Sequence, residues 1–297
     1  MTASATLWRP DVVARVQALQ LRARQTVAGL GVGLRRSIHV GQAVEFADYK
    51  PYTPGDNLRD LDWRVLGRRD RLVVRRYRAE TEMGATLLVD ASGDLGSTPE
   101  KWDLAVGLAA TIAWLLFQEN EPVGIELVGG EGVAVRSLPP RRGRGHLARI
   151  FGLLATLRPS GRAGLAQAFA RVGARARPRG LVVLITDFME PPASWAPALD
   201  AVIRRRADLR ALHIYDARET GLAYPHPLRL YSLEGGDDEL LDPEAMREAV
   251  SGEATRFFGE VRDEVRRRRG VHVLVEARGS MVEAMGSFLL GREGGVP

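Results

Sequence analysis

The chain has no cysteine, and only two of its 42 basic residues are lysines. The absence of cysteine excludes disulfides, thiolate metal sites, iron–sulfur clusters and cysteine nucleophiles. Long apolar runs are also missing: the longest, from Leu104 to Phe117, has 14 residues, too few to span a bilayer. Charged residues interrupt the first apolar positions, so there is no signal-peptide core. We therefore expect a cytoplasmic protein with no membrane span.

Positive charge is concentrated near the N-terminus. Residues 1–80 carry 15 basic and 8 acidic side chains, whereas the whole chain has a net charge of only +5. This basic quarter has two interpretations, a solvated surface laced with salt bridges or a face for nucleic acid or another polyanion. Because acidic residues are interleaved with the basic ones, the nucleic-acid interpretation is the less favoured of the two.

The remaining pattern is that of a globular α/β protein. The chain has 297 residues, 45% of them hydrophobic and 27% charged, so it can bury a large core without disulfides or structural metals. From residue 82 onward, short apolar strands alternate with longer helical segments, which is typical of a mostly parallel sheet with helices on both faces. We predict a Rossmann-like, mostly parallel α/β domain over 82–297, and an N-terminal extension over 1–81 that contains a helix and some β-structure. The predicted strands are 71–78, 85–90, 123–128, 133–138, 181–187, 209–215 and 271–276, and the predicted helices are 11–28, 101–118, 145–157, 163–176, 195–206, 243–269 and 281–290; residues 217–242 are expected to be irregular.

Two predicted strands end in acidic residues. Asp90, Ser92 and Asp94 alternate in the loop after the first strand of the sheet, and Asp187 follows a second strand. Because the carboxyl ends of parallel strands meet at one edge, these oxygen donors could hold a hard cation there. The alternative is that Asp90 and Asp187 cap helices or pair with arginine.

The same residues carry a resemblance. Asp90-Ala-Ser92-Gly-Asp94 before a long helix, with Thr186-Asp187 after a later strand, resembles the metal-ion-dependent adhesion site of von Willebrand factor A domains. The segment from Gly33 to Leu72 closely resembles the bacterial domain of unknown function 58 family. The residues that match its signature are Arg36, Ser37, Gly41, Glu45, Phe46, Asp48, Tyr49, Pro51, Tyr52, Pro54, Gly55, Asp56, Arg59, Asp62, Trp63, Arg68 and Asp70.

This resemblance implies a non-enzymatic adaptor or assembly factor that works with a MoxR-type AAA+ ATPase on a client protein. The metal site departs from the family pattern, because Asp94 replaces a small hydroxyl residue and Ala163 stands where a threonine ligand is expected. Three carboxylates would neutralise a divalent cation and weaken its capture of a partner's carboxylate. We therefore expect a degenerate site that binds Mg²⁺ weakly.

The loops after Asp90, around 161–164 and after Asp187 are expected to form one partner-binding face. Arg162, Phe188 and Met189 are its candidate contact residues, with the two apolar side chains as an exposed anchor. The alternative is that Phe188 and Met189 pack under the next helix. In the N-terminal block, Trp63 is expected to be buried, with Asp62 and Arg59 anchoring a local turn.

Enzyme motifs are not found. The five histidines are scattered without metal-ligand spacing, and Ser92 lacks the G-x-S-x-G context of a nucleophile elbow. The glycines between Gly29 and Gly33 match neither a P-loop nor a dinucleotide-binding fingerprint. We therefore predict that the protein is not an enzyme.

Overall fold

A computed structural model describes residues 10–30, 45–53, 62–63, 65, 67, 72–78, 84–222, 228–230 and 239–291, with the backbone alone at 45–49, 75–78, 228–230 and 239–241. The helices are α1 (Pro10–Gly29), α2 (Pro99–Gln118), α3 (Arg144–Thr156), α4 (Leu165–Arg175), α5 (Pro192–Ile203), α6 (Ala217–Thr220), α7 (Pro243–Arg267) and α8 (Met281–Leu290). The strands are β1 (Glu45–Pro51), β2 (Val73–Arg78), β3 (Ala85–Ala91), β4 (Val123–Gly129), β5 (Ser137–Arg141), β6 (Leu181–Thr186), β7 (Asp208–Tyr215), β8 (Leu228–Leu230), β9 (Glu239–Leu241) and β10 (Val271–Glu276).

Six strands form the central sheet, in the order β10-β7-β6-β3-β4-β5. All neighbouring pairs are parallel except β4 and β5. Successive residues of a strand point to opposite faces, so Leu87 and Val89 join one core while Leu88 joins the other. Helices α1, α2, α3 and α8 cover the first face, and α4, α5 and α7 cover the second. The predicted α/β fold, mostly parallel and flanked by helices, is confirmed and is consistent with a Rossmann-like fold.

Helix α2 is the long apolar helix expected from the sequence, and it is buried along most of its length. Thr98 caps its N-terminus by accepting a hydrogen bond from the backbone N–H of Lys101, and Pro99 occupies the first turn. Among the helices of the described residues, none combines the length and the hydropathy needed to cross a bilayer.

The chain forms two compact units, one of Met1–Ile38 with Met83–Pro297 and the other of His39–Glu82. Helix α1 belongs to the larger unit, where it contacts α2, α3 and α8. The predicted boundary grouped this helix with the N-terminal extension over 1–81. In the structure its apolar face, including Ala23 and Val27, is part of the core on one side of the sheet.

Two local predictions are corrected. The strand expected at 133–138 lies at Ser137–Arg141, because the turn after β4 is long and contains Gly129, Gly130 and Gly132 at positive φ. The Arg136 side chain stabilises this turn by donating hydrogen bonds to the carbonyls of Gly129 and Gly130. This strand contains Pro139 and Pro140, which an edge strand tolerates. The segment 217–242, expected to be irregular, contains α6 and the short antiparallel pair β8–β9.

The smaller unit contains the expected β-structure, since β1 and β2 pair antiparallel. The backbone N–H of Asp62 donates to the carbonyl of Val73, and its buried carboxylate accepts from the backbone of Val65. Asp62 therefore anchors the local turn, as predicted.

Trp63 is 66% exposed, so the expectation that it is buried is wrong. The preceding Asp62 is buried, so the buried side chain of this turn is the aspartate rather than the indole. Of the family-signature residues, Pro51 is exposed and Tyr52 is half-buried. The remaining signature positions lie outside the residues whose side chains the structure describes: Arg36, Ser37, Gly41, Glu45, Phe46, Asp48, Tyr49, Pro54, Gly55, Asp56, Arg59, Arg68 and Asp70.

Candidate functional site

The strand order places a crevice at the carboxyl ends of β3 and β6. From β3 the chain builds β4 and β5 on one side, and then returns to build β6, β7 and β10 on the other. In open α/β sheets, ligands bind where the strand order reverses in this way. Asp90 is the second-last residue of β3 and Asp187 directly follows β6, so both carboxylates lie at this crevice.

Asp90 is almost completely buried, and both of its oxygens are hydrogen-bonded. Oδ2 accepts from the Thr186 hydroxyl at 2.6 Å, and Oδ1 accepts from the backbone of Ser92 at 2.8 Å. Burial, and then the nearby charge of Asp187, raise the pKa of Asp90 to about 7. Its side chain thus joins the ends of β3 and β6, and it titrates near neutral pH.

Asp187 forms a buried ion pair with Lys101. The Lys101 ammonium lies 3.0 Å from Asp187 Oδ2, and the two side chains are 4% and 3% exposed. Burial raises the pKa of Asp187, while the charge of Lys101 opposes this rise.

Lys101 is the centre of a wider network. Its ammonium contacts Glu219 Oε2 at 3.2 Å and donates to the carbonyl of Asp94 at 3.0 Å and to the Ser97 hydroxyl at 3.3 Å. Ser97 in turn donates to Glu219 Oε1 at 2.7 Å. Burial alone would lower the pKa of Lys101, but the charges of Asp187 and Glu219 outweigh burial and raise it. The lysine therefore stays protonated.

The expected meeting of three loops is seen in the backbone. The Gly93 N–H donates to the carbonyl of Gly161 at 2.8 Å, and Ser160 N–H donates to Ala91 at 2.9 Å. The backbone of Leu165, at the start of α4, donates to the Glu190 side chain at 3.1 Å. These contacts join the loops after β3, before α4 and after β6. Arg162 is exposed in the middle loop.

Phe188 and Met189 have different environments. Phe188 is completely buried, with its ring centroid 5.2 Å from that of Trp195 and 5.1 Å from that of His213, so its predicted role as an exposed anchor is wrong. Its φ of 53° lies in the left-handed region, and this turn directs the ring under the sheet edge. Met189 is 59% exposed, which agrees with the partner-face expectation for that residue.

A pocket of about 370 Å³ opens beside this ion pair. Its lining includes both members of the ion pair, Lys101 and Asp187, together with Met189, Glu219, Tyr215 and Phe257. We call it the crevice pocket. Its volume lies in the range of small-ligand sites, and its wall comes from β7 and α7.

Magnesium would require these oxygens to be arranged around one cation. Among the described residues, no group of three or more His, Asp or Glu side chains is placed to hold a metal ion. The oxygens of Asp90 accept hydrogen bonds from Thr186 and Ser92, and Ser92 Oγ accepts from the backbone of Leu95 at 3.4 Å. The charge of Asp94 raises the pKa of Asp187, so these acids are neighbours, but the cation between them is Lys101. The arrangement does not fit an adhesion-type metal centre, and weak Mg²⁺ binding stays a prediction.

Sequence reasoning missed Lys101, Glu219 and the aromatic wall of the crevice pocket. One signal was available: Lys101 is one of two lysines in a chain with 40 arginines. A compact ammonium fits a buried cluster that a guanidinium would overfill. Glu219 and Phe257 come from segments far along the chain, and no local pattern connects them to Asp187.

Comparisons with known proteins identify the family of this chain. The family described as "Protein of unknown function DUF58" matches residues 48–257. Two relatives, an uncharacterized protein of Mycobacterium bovis and one of Mycobacterium tuberculosis, are each 32% identical over 233 residues, covering 76% of this chain and 72% of theirs. The match covers most of the sheet and the Lys101–Asp187 crevice, and on this basis the chain belongs to the DUF58 family.

Proposed function

We propose that the chain is a non-enzymatic protein-interaction module that docks its partner at the crevice pocket, beside the Lys101–Asp187 pair. The observation that carries the proposal is the crevice pocket, where an exposed Met189 and an apolar wall adjoin a fixed, buried ion network. Interfaces gain most of their affinity from a few apolar anchors in a desolvated centre with a polar surround.

We further propose that the partner is a MoxR-type AAA+ ATPase in the cytoplasm, with this chain as adaptor or assembly factor. The resemblance to von Willebrand factor A domains supports this assignment. The sheet supports the resemblance through its strand order and its single antiparallel edge strand β5. The loops at the carboxyl ends, where that class of domain binds partners, meet here as well.

The chemistry of the crevice favours binding over catalysis. Ser97 and Lys101 lie 3.3 Å apart, but a serine–lysine dyad needs a neutral lysine as base. The raised pKa of Lys101 keeps it protonated. His213 contacts His272 at 3.1 Å, and burial lowers its pKa well below the usual value, so it does not form a charged catalytic pair with a carboxylate.

Site-specific photocrosslinking tests the docking face. Benzoylphenylalanine is introduced at Met189, and in a matched control at Leu290, which is 47% exposed at the end of α8, near the amino ends of β7 and β10. Each protein is incubated with the purified MoxR-type ATPase of the same host. We expect a crosslink from position 189 and none from position 290.

Two outcomes contradict the proposal. One is equal crosslinking from both positions, which indicates contact without a specific face. The other is no crosslink to the ATPase together with salt-sensitive retention of nucleic acid, which favours the polyanion function.

A further inference from the structure

We propose that the crevice pocket receives a cationic side chain, an arginine or a lysine, from the docked partner. This inference rests on the proposed docking function and specifies its chemistry. An adhesion-type metal site would capture a carboxylate instead, so the two kinds of site predict partners of opposite charge.

The charge of the pocket favours a cation. Asp187 and Glu219 line it with one internal cation, Lys101, between them, which leaves an excess of one carboxylate. Glu253 adds a further carboxylate to the lining, and its pair with Arg256 lies on the exposed face of α7. A partner's carboxylate would meet like charges in this partly desolvated space, whereas an ammonium or guanidinium would be attracted.

The aromatic wall also suits a cation. Phe257, Phe258 and Tyr215 line the pocket, with ring centroids 5.3 Å apart for Tyr215–Phe258 and 6.5 Å apart for Phe257–Phe258. Aromatic faces attract cations, arginine more often than lysine. The fourth ring, of His213, is kept uncharged by burial and so does not repel a cation.

The size and the entrance of the pocket match one long side chain. A volume of about 370 Å³ is small for a helix or a strand but sufficient for a flexible stem and its charged head. Met189 lines the pocket and is largely exposed, and a polarizable thioether packs well against a methylene stem.

Three capped pentapeptides test the inference on the full chain. They are Ala-Ala-Arg-Ala-Ala and the same sequence with glutamate or norleucine at the centre, and their affinities are measured by isothermal titration calorimetry. We expect the arginine peptide to bind most tightly and the glutamate peptide not to bind. Raising the salt concentration is expected to weaken the arginine peptide but not the norleucine peptide.

Variants locate the site. Glu253→Gln is expected to lower the affinity for the arginine peptide about two- to fivefold, as for a partly exposed ion pair. Phe257→Leu is expected to weaken it about three- to tenfold through the lost cation–π contact. Glu248→Gln removes an exposed carboxylate from the same helix outside the pocket and is expected to have no effect.

Equal affinity for the arginine and norleucine peptides would overturn the inference, and so would preferred binding of glutamate or insensitivity to both pocket variants. The two proposals fail separately. If position 189 crosslinks the ATPase but no arginine peptide binds, docking stands and the cationic ligand is wrong. If the peptide binds but the ATPase does not crosslink, the partner assignment is wrong.

Discussion

The ammonium of Lys101 lies 3.0 Å from Oδ2 of Asp187, at the end of β6, where the strand order of the sheet reverses. Helix α2 carries the lysine and the loop after β6 carries the aspartate, so the pair ties a buried helix to the sheet edge. Both charges are almost completely removed from water, so each is stabilised largely by its attraction to the other.

Removing one member of this pair is expected to destabilise the protein strongly. Lys101→Met leaves Asp187 buried and unpaired, which typically costs about 3–5 kcal/mol of the free energy of unfolding. Urea denaturation followed by circular dichroism measures this loss. The matched control is Arg256→Met, which removes the exposed pairs with Glu253 and Glu260 and is expected to cost less than about 1 kcal/mol. Equal losses for the two variants would show that the buried pair has no special weight.

Divalent metal binding is expected to be weak because Lys101 supplies the cation. Isothermal titration of the wild-type chain with MgCl₂ is expected to show no tight stoichiometric binding. Lys101→Ala removes the competing ammonium and is expected to increase Mg²⁺ affinity. Asp94→Ser with Ala163→Thr, added to that variant, supplies hydroxyl ligands of the adhesion type and is expected to increase it further. Tight binding by the wild-type chain would contradict this account.

Asp90 is expected to make stability depend on pH. Its folded-state pKa, raised to about 7, exceeds the ordinary value of 3.8, so the folded chain binds the proton more tightly than the unfolded chain. Its contribution is therefore fully present below about pH 3.8 and is lost as the pH rises toward 7, with a slope of at most about 1.4 kcal/mol per pH unit. Asp90→Asn keeps the shape of the protonated acid and does not titrate.

The measurement is the difference in unfolding free energy between Asp90→Asn and wild type, taken from pH 5 to pH 8. The free energy of unfolding of the variant is expected to increase relative to that of the wild type as the pH rises. The buried histidines shift in the opposite direction, with the pKa of His272 lowered to about 4, but they are common to both proteins and cancel in the difference. A difference that does not change with pH would show that Asp90 is ionised throughout.

Trp63 is expected to contribute little to the stability of the fold. Since 66% of it is exposed, Trp63→Ala is expected to change the free energy of unfolding by no more than about 0.5–1 kcal/mol. A buried tryptophan would cost about 3–5 kcal/mol. Thermal and urea unfolding of the variant distinguish these values, and a loss of the larger size would mean that the indole is buried in solution.

Periodicity predicted the architecture because the sheet is parallel and buried on both faces. The run from Leu181 to Ile185 is apolar at every position, and a helix follows it, so its strand character and the position of Asp187 follow from local sequence. The pairing of Lys101 with Asp187 does not follow from local sequence, because it depends on the packing of α2 against the end of β6. Phe188 shows the same limit: a residue next to a strand end can point out or under the sheet, and only the left-handed turn decides between them.

The family match and the larger compact unit have different limits. The larger unit includes α1, β10 and α8, which all lie outside the matched residues 48–257. The family match ends at residue 257, within α7, whereas β10 pairs with β7 and the Arg210 side chain donates to the Phe288 carbonyl of α8 at 2.7 Å. A recombinant fragment cut at the family limits would expose β7 as a bare sheet edge, remove Val261 and Val265 from the second core and remove the buried Phe258 from the crevice pocket. Insolubility of such a fragment would therefore reflect where it was cut, and would say nothing about the stability of the whole chain.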